Sequence, residues 1–476
     1  MNAATPALPR SARWALAIAA GIAMRFGYGL EPLWWLALLA PVPLLVAAQH
    51  ASAREAAALA LVAALIGPVL PWSYLAGLMP LPVVVGIAAA MALQWAAVIV
   101  VTRALHQRGP GWCTPFGFGI TLAAFDALLA AASPDGTAAS LAYTQADALP
   151  LVQVASLGGT PAITFVMGLV AALLAAAADP GSRLRFSRAA LGATVLLLAA
   201  TITFGVWRLA LPAGGATLPV AAVAIDARIA DRRSDPAAFE RLLADYEAAV
   251  SRAVASQPRL VLLPERIGDI ASTDVDAVAQ RLAAAARNAK ADLVVGFGVF
   301  GPEGNHNEAW WIDASGTLVR YRKQHLVQGL EARFAGGPAT TVKRTIDGHT
   351  LALAICKDMD FPATIRRSTL PDVAAMVVPA WDFGADGWLH SRMAMLRGVE
   401  NGVGLLRAAR EGHLTISDAQ GRVRAQTVSG AAAAVLSGTL PVQRVDTLFT
   451  RLGAGVSWLW PALLLMLLLV ARRGSR

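Results

Sequence analysis

Long apolar runs at both ends of the chain are the feature that most constrains its fold. Seven apolar runs precede residue 210, at residues 14–27, 31–48, 56–78, 80–102, 117–133, 160–178 and 187–209. An eighth run, GAGVSWLWPALLLMLLLV, lies close to the C-terminus. A hydrocarbon core about 30 Å thick needs about 20 residues of helix, and most of these runs are long enough. We therefore predict a polytopic α-helical membrane domain of about eight spans.

Charged residues are concentrated between these apolar blocks. Residues 1–209 carry 16 charged side chains, residues 210–452 carry 52, and residues 453–476 carry three. With 56% hydrophobic and 15% charged residues, the whole chain is too apolar for an ordinary soluble protein. We predict seven spans in residues 1–209, a water-exposed domain over residues 210–452, and a last span with a short tail over residues 453–476.

The arginines outside the spans predict the orientation. If the N-terminus is cytoplasmic, the short loops on the far side carry only Arg25, whereas the cytoplasmic segments carry Arg10, Arg13, Arg54, Arg103, Arg108, Arg183, Arg185, Arg188, Arg472, Arg473 and Arg476. This asymmetry follows the positive-inside rule, so we expect residues 210–452 on the extracytoplasmic side. Much of the net charge of +9 is this arginine, and it gives no reason to expect a nucleic-acid partner.

Residues 210–452 show the pattern of an α/β domain. The predicted strands are 218–226, 259–265, 292–300 and 373–381, the predicted helices are 235–255, 274–290 and 387–401, and the predicted hairpins are 307–325, 341–356 and 413–427. Strands alternate with helices early in the domain and pair as hairpins later. We therefore predict a mixed fold, with two sheets packed between layers of helices.

Three polar residues, Glu265, Lys323 and Cys356, each follow an apolar strand-like segment. Active sites of α/β proteins are commonly built at strand ends. A carboxylate can accept a thiol proton, the thiolate can attack a carbonyl, and an ammonium can stabilise the resulting oxyanion. Singly, they could also be an ion-paired acid, a solvated turn lysine and a core cysteine. Their shared position at strand ends favours a joint site.

The only other cysteine, Cys113, falls at the cytoplasmic end of the fifth predicted span. It cannot form a disulfide with Cys356, because the two lie on opposite sides of the membrane. An unpaired cysteine in an oxidising compartment is either buried or functional, and the sequence leaves both open. The seven histidines show no metal-ligand spacing, and there is no glycine-rich phosphate loop, so we expect no cofactor and no metal.

The order of these residues and their flanks resemble the nitrilase, or carbon–nitrogen hydrolase, superfamily. YRKQHLV resembles its lysine motif, and PAWDFGADGWLHSRMAMLRGVENG resembles the segment after its nucleophile. SLAYTQADALPLVQVASLGGTPAITF, residues 140–165, has no counterpart in plain nitrilases, and with membrane spans on both sides of the domain the chain is similar to the bacterial apolipoprotein N-acyltransferases. The resemblance implies an αββα sandwich outside the cytoplasmic (inner) membrane, attached to an eight-helix membrane domain.

The resemblance also implies an activity and a set of site residues. The activity is transfer of an acyl chain from a phospholipid, through a cysteine thioester, to the α-amino group of a lipoprotein's N-terminal diacylglyceryl-cysteine. Glu265 would be the general base, Lys323 the oxyanion-stabilising amine and Cys356 the nucleophile. Glu331 falls where the family has a further glutamate, and Asp358 falls where it usually has glutamate. We expect a membrane-embedded monomer whose partners are the phospholipid donor and the apolipoprotein acceptor.

Two other functions stay open at this point. One is a membrane-tethered amidase acting on a different lipid or amine, and the other is a non-catalytic membrane binding protein. Lifting a sixteen-carbon chain into water costs about 12 kcal/mol at about 0.8 kcal/mol per CH₂, so a thiol at the bilayer surface suits an acyl substrate better than a small soluble one. Leu263 and Lys357 stand where the family has tryptophan and tyrosine, which leaves the acceptor open.

Overall fold

The computed structural model describes residues 8–67, 72–111, 114–179, 187–211, 215–226, 228–430 and 432–473. Four residues used above, Cys113, Arg183, Arg185 and Arg476, lie outside these ranges. The chain divides into two compact units, one formed by Met1–Ala210 with Gly455–Arg476 and the other by Leu211–Ala454.

The first unit is helical. Its helices are α1 (Arg10–Gly27), α2 (Trp34–Leu39), α3 (Val42–Gln49), α4 (Ala53–Ile66), α5 (Trp72–Leu78), α6 (Leu81–Arg108), α7 (Thr114–Ala132), α8 (Leu149–Val152), α9 (Ala155–Gly158), α10 (Thr160–Ala178), α11 (Arg188–Ala210) and a C-terminal helix, Leu459–Arg473. Among the described residues, five helical segments are long and apolar enough to cross a membrane: Leu81–Arg108, Pro115–Ala132, Thr160–Ala178, Arg188–Ala210 and Ala454–Arg473.

The remaining predicted runs form shorter or more highly charged helices. The run 31–48 folds as two short helices, α2 and α3, with Pro41 and Pro43 at the start of the second. Proline lacks the N–H that a continuous helix needs, so the chain restarts there. The polytopic helical domain is confirmed, whereas the number of eight spans stays a prediction.

The second unit is α/β. Its strands are β1 (Thr217–Ala224), β2 (Ala230–Asp231), β3 (Leu260–Leu262), β4 (Gly268–Ala271), β5 (Asp292–Phe300), β6 (His306–Ile312), β7 (Leu318–Arg322), β8 (Lys343–Ile346), β9 (His349–Leu353), β10 (Val373–Trp381), β11 (Gly404–Arg410), β12 (His413–Ser417), β13 (Val423–Val428) and β14 (Ala434–Pro441). Its helices are α12 (Pro236–Ala253), α13 (Val275–Ala289), α14 (Pro362–Thr369), α15 (Gly387–Asn401) and α16 (Leu448–Leu452).

These strands form two mixed sheets. The order in the first is β14-β1-β3-β5-β4-β2, with β6 added at β5 and β7 added at β6, and the order in the second is β13-β12-β11-β10-β9-β8. The central strands of each sheet are parallel, namely β1, β3 and β5 in the first and β9, β10 and β11 in the second. The predicted α/β fold with two sheets is confirmed.

Alternate residues along the central strands build two cores. In β1, Ala221 and Val223 belong to a core with α12 and α13, whereas Val220 and Ala222 belong to a core with the second sheet. Side chains alternate between the faces of a strand, so the first sheet is covered on both faces. Helices α14 and α15 contact the second sheet and complete the outer layer. Each fully buried Leu or Val contributes about 1.5–3 kcal/mol to this packing.

Three strands of appreciable length, β4, β11 and β14, lie outside the predicted pattern. β11 carries two buried arginines, Arg407 and Arg410, and therefore lacks an apolar run. The predicted strand 259–265 is shorter than expected, because regular pairing ends at Leu262 and Glu265 lies in the turn that follows.

Candidate functional site

The predicted site residues come from three turns of the second unit. Glu265 lies three residues after β3, and Lys323 directly follows β7. Cys356 lies three residues after β9 and begins a 3₁₀ turn, Cys356–Asp360. The structure therefore places each residue beyond a strand end, as the sequence predicts.

The Glu265 turn is held against both sheets. The Glu265 N–H donates to the Ala380 carbonyl in β10 at 3.2 Å, and the Gly296 N–H in β5 donates to the Pro264 carbonyl at 3.1 Å. A Cβ at Gly296 would lie 2.4 Å from the Arg266 nitrogen and 2.6 Å from the Glu265 Cα. Only glycine lets β5 approach the turn so closely, which fixes the position of the carboxylate.

Lys323 lies at the centre of a buried charge cluster. Its Nζ donates to Glu265 Oε1 at 2.7 Å and to Glu331 Oε2 at 2.8 Å. The exposed fraction is 1% for Lys323, 3% for Glu265 and 7% for Glu331. Burial favours the neutral amine, but the two carboxylates outweigh it and raise the pKa of Lys323. Burial likewise opposes ionisation of Glu331, yet the Lys323 charge lowers the pKa of that carboxyl. The lysine is therefore an ammonium at neutral pH.

Asn307, in β6, is a fourth member of the cluster. Its Nδ2 donates to Glu265 Oε1 at 2.7 Å and to Glu331 Oε1 at 2.6 Å. Its backbone carbonyl accepts the Lys323 N–H at 2.8 Å. The side chain of Asn307 thus binds both glutamates, and its backbone holds Lys323 against the first sheet. Sequence reasoning missed Asn307, because an isolated asparagine at the start of a strand forms no recognisable pattern.

Cys356 is half-buried as a residue, whereas Glu265, Lys323 and Glu331 are buried. Its φ of +39° lies in the left-handed region, which costs a non-glycine residue about 1–3 kcal/mol. Its Sγ donates to the Trp381 carbonyl at 3.6 Å. Burial of the sulfur and the Glu265 charge raise the pKa of the thiol well above its usual range, against the opposing Lys323 charge. The resting thiol is therefore neutral and needs a base to react.

Asp358 connects the cysteine turn to the lysine loop. Its fully buried carboxylate accepts hydrogen bonds from the Tyr321 hydroxyl at 2.7 Å, the Gln324 N–H at 3.1 Å, the His325 N–H at 2.9 Å and the Ile355 N–H at 3.1 Å. Burial raises the pKa of Asp358 to about 6 in spite of these donors. Asp358 therefore holds the chain on both sides of Lys323 and Cys356.

A second buried charge cluster adjoins the thiol. Asp382 follows Trp381, and both of its oxygens accept from the Arg407 guanidinium, the Nη1 bond being 2.9 Å. His390 Nδ1 lies 3.3 Å from Asp382 Oδ1. Burial opposes ionisation of Asp382, but Arg407 and His390 lower its pKa. Burial also disfavours protonated His390, yet the neighbouring carboxylates raise its pKa to about 9. These contacts hold Asp382 in place, directly after Trp381, whose backbone carbonyl accepts from the Cys356 thiol.

A carboxylate, an ammonium and a thiol thus lie close enough for their charges to act on one another. Among the described residues, no group of three or more His, Cys, Asp or Glu side chains could hold a metal ion. The charges that bear on the thiol come instead from Glu265, Lys323, Asp382 and Arg407. The individual roles of Glu265, Lys323, Cys356, Glu331 and Asp358 stay predictions.

Two family models match this chain. Residues 220–448 match the family model for carbon-nitrogen hydrolase, so the second unit is of the carbon–nitrogen hydrolase class. Residues 20–173 match the model for the apolipoprotein N-acyltransferase N-terminal domain. One model matches within each unit, and the chain belongs to the apolipoprotein N-acyltransferase family. Together with the five span-length apolar helices of the described residues, this membership indicates a bacterial inner-membrane protein.

Individual relatives span most of the chain. The chain is 28% identical to the apolipoprotein N-acyltransferase of Geobacter metallireducens over 503 residues, which covers 95% of this chain and 94% of that protein. It is 26% identical to that of Sinorhizobium fredii, covering 83% and 80%. Among solved structures, an amidase from Nesterenkonia sp. superimposes on 51% of this chain and 96% of its own, with a TM-score of 0.42 and 23% identity.

Proposed function

We propose that the protein moves an acyl chain from a phospholipid, through a thioester on Cys356, to the α-amino group of a lipoprotein's N-terminal diacylglyceryl-cysteine. Family membership supports lipoprotein N-acylation. The phospholipid donor and the thioester are part of the proposal. The observation that carries it is the buried Lys323 ammonium held between Glu265 and Glu331. The charges of Lys323 and Glu265 act on the neutral thiol of Cys356.

In the first half-reaction, the Cys356 sulfur attacks the carbonyl carbon of the phospholipid ester as Glu265 takes the thiol proton. The carbonyl oxygen of the ester gains a negative charge, which the Lys323 ammonium stabilises. The tetrahedral intermediate expels the glycerol oxygen, which takes the proton back from Glu265. The products are a lysophospholipid and acyl-Cys356.

In the second half-reaction, the amine of the acceptor attacks the thioester carbonyl. Glu265 accepts a proton from the nitrogen, and Lys323 again stabilises the oxyanion. The sulfur leaves and regains a proton from Glu265, so the thiol is restored and an amide is formed. Because the pKa of Cys356 is raised, its sulfur leaves poorly as a thiolate. Proton transfer must therefore accompany its departure, so the base must stay close to the sulfur.

The two glutamates have separate tasks in this scheme. Glu331 accepts from Lys323 Nζ with one oxygen and from Asn307 with the other. It therefore keeps the ammonium charged without carrying a proton itself. Glu265 shares the same two donors and is left to exchange a proton with the thiol.

We further propose that residues 210–452 lie on the extracytoplasmic side of the inner membrane and that the protein acts as a monomer. Alkaline phosphatase, which is active only outside the cytoplasm, should be active when fused after Leu211 and inactive when fused after Arg473. The same activity at both positions would contradict this orientation.

Complementation tests the activity. A strain depleted of its own N-acyltransferase should be rescued by the wild-type chain, and mass spectrometry should find a third acyl chain on a lipoprotein N-terminus. Cys356→Ala, expressed to the same level, should give only the diacyl form. Rescue by Cys356→Ala, or a stable wild-type chain that leaves the N-terminus unmodified, would overturn the proposal. Acyl label lost only to water would favour an amidase-like hydrolase.

A further inference from the structure

The last turn of α11 contains a buried arginine that has no acidic partner. Arg208 is 4% exposed, its Nη1 donates to the Gln153 carbonyl at 3.4 Å, and its Nη2 has no hydrogen-bond partner among the described residues. Every Asp and Glu of the chain lies within the described residues, and none of them forms an ion pair with this guanidinium. The part of the chain that the structure describes therefore satisfies the nitrogens of Arg208 poorly.

A buried guanidinium without an acidic partner is stabilised when an anion binds to it. The guanidinium cannot be deprotonated in a protein, and a buried unpaired charge costs several kcal/mol. The negative end of the α11 dipole offsets only about 0.3–1 kcal/mol of that cost. A long bond to one carbonyl adds little more.

Arg208 lies beside a close contact between α11 and α8. Thr201, Gly205 and Arg208 are the buried residues of the last three turns of α11, spaced four and three residues apart, so they lie on one helix face. A Cβ at Gly205 would lie 1.8 Å from the Pro150 carbonyl oxygen. α11 therefore packs directly against α8, and Arg208 lies next to this contact rather than on the lipid-facing side of the helix.

The depth of Arg208 along α11 indicates which anion. α11 is 23 residues long and apolar enough to cross a membrane, so its last turn lies close to the level of the lipid headgroups. The adjacent Trp207 is 56% exposed, and exposed tryptophans collect at the membrane–water interface. The anion abundant at that level is the phosphodiester of membrane lipids.

We propose that Arg208 binds the phosphate of a phospholipid headgroup, at a site within the helical unit beside the contact between α11 and α8. The planar fork of the guanidinium presents two parallel N–H groups, which match two phosphate oxygens. The site recognises the phosphate and not the acyl chains. It does not depend on acyl transfer, so it can be tested in a protein whose catalysis is blocked.

Native mass spectrometry of the delipidated full chain carrying Cys356→Ala provides the test. Three probes are titrated: dipalmitoyl phosphatidylethanolamine, dipalmitoylglycerol without phosphate, and inorganic phosphate. Adding Arg208→Gln should weaken phosphatidylethanolamine binding about tenfold or more and leave dipalmitoylglycerol binding unchanged, since a hydrogen-bonded charge pair is lost. Arg208→Lys should fall between, because it keeps the charge but not the fork. The matched control, Arg188→Gln, changes an exposed arginine at the other end of α11 and should leave both unchanged.

Each result decides the question. Equal losses for both lipids, or no loss for either, would overturn the proposal and leave Arg208 a structural residue. Inorganic phosphate that binds as tightly as phosphatidylethanolamine and displaces it would show that the site takes free phosphate and not a lipid. If Arg208→Gln fails to fold, Arg208→Lys still decides: no selective loss of phosphatidylethanolamine binding would contradict the proposed fork.

Discussion

Replacing Glu331 by glutamine tests how the buried ammonium is balanced. The Glu331 carboxylate accepts three hydrogen bonds, from Lys323 Nζ at 2.8 Å, the Val327 N–H at 2.7 Å and Asn307 Nδ2 at 2.6 Å. A glutamine offers one oxygen and one NH₂ group in the same space, so at least one of these donors would face another donor. The negative charge of Glu331 would also be lost, so Lys323 would be paired with only one carboxylate, that of Glu265.

The expected losses follow from these contacts. A hydrogen bond to a charged group contributes about 1.5–3 kcal/mol, so Glu331→Gln should lower the free energy of unfolding by about 2–3 kcal/mol. Lys323 would then pair with Glu265 alone and hold that base more tightly. A penalty of about 3 kcal/mol on proton transfer from Cys356 would slow acylation by about 10²-fold.

Single-turnover acylation measures this effect directly. Wild type and Glu331→Gln are mixed with excess labelled phospholipid, and the acyl-enzyme is followed after rapid quenching, with a thermal melt to show that the variant is folded. Glu303→Gln is the matched control, because Glu303 is an exposed glutamate in the loop before β6. A folded Glu331→Gln protein that acylates within twofold of the wild type would refute the reasoning.

Three further predictions concern the residues around the site. Asp358→Asn should cost about 2–3 kcal/mol of unfolding free energy. Burial raises the pKa of Asp358 from 3.8 to about 6, so the native state binds this proton more tightly, and melts should show wild-type stability falling as pH rises across that interval, a fall absent from the variant. Gly296→Ala should lower the melting temperature and abolish acylation, because its Cβ would overlap the Glu265 turn, whereas Gly430→Ala, whose Cβ would meet nothing within 4 Å, should leave acylation unchanged. Alkylation of Cys356 by iodoacetamide should rise with pH beyond 9, and Glu265→Gln should move the profile to lower pH while Lys323→Gln moves it to higher pH, because the first charge raises and the second lowers the thiol pKa; shifts in the opposite directions would contradict this electrostatic account.

The positions of the site residues could be predicted because strand ends are visible in the sequence. Glu265, Lys323 and Cys356 each follow a short apolar segment, and the structure places each in the turn beyond a strand. The contacts that orient them could not be predicted in the same way. Asn307 is 42 residues from Glu265 and 24 from Glu331, and nothing in its local sequence links it to either.

The missed strands have a related physical cause. Strand prediction depends on apolar periodicity, and β11 interrupts its apolar residues with Arg407 and Arg410. Arg407 can be buried in a strand because Asp382, 25 residues away, neutralises it. β14 is an edge strand that pairs with β1, from the other end of the unit's sequence, and only two of its residues, Leu436 and Leu440, are buried. The local sequence of these strands shows neither the ion pair that allows Arg407 to be buried nor the pairing of β14 with β1.

The membrane unit shows the same limit. Hydropathy located the apolar runs, and five helical segments of the described residues meet the length and composition of a span. The run 31–48 is equally apolar, but Pro41 lies between α2 and α3 and separates them. The burial of Arg208 depends on α8, which lies more than 50 residues earlier in the chain.

The central claim is that Cys356 carries the acyl chain, and the mass of one peptide tests it most directly. The purified protein is incubated with phospholipid and no acceptor, digested, and analysed for the peptide that contains Cys356. We predict an added acyl mass on that peptide, removable by hydroxylamine, absent from Cys356→Ala and transferred to a diacylglyceryl-cysteine peptide when one is supplied. If the folded wild type never gains this mass, while a known N-acyltransferase treated alongside does, the account is contradicted at its first chemical step.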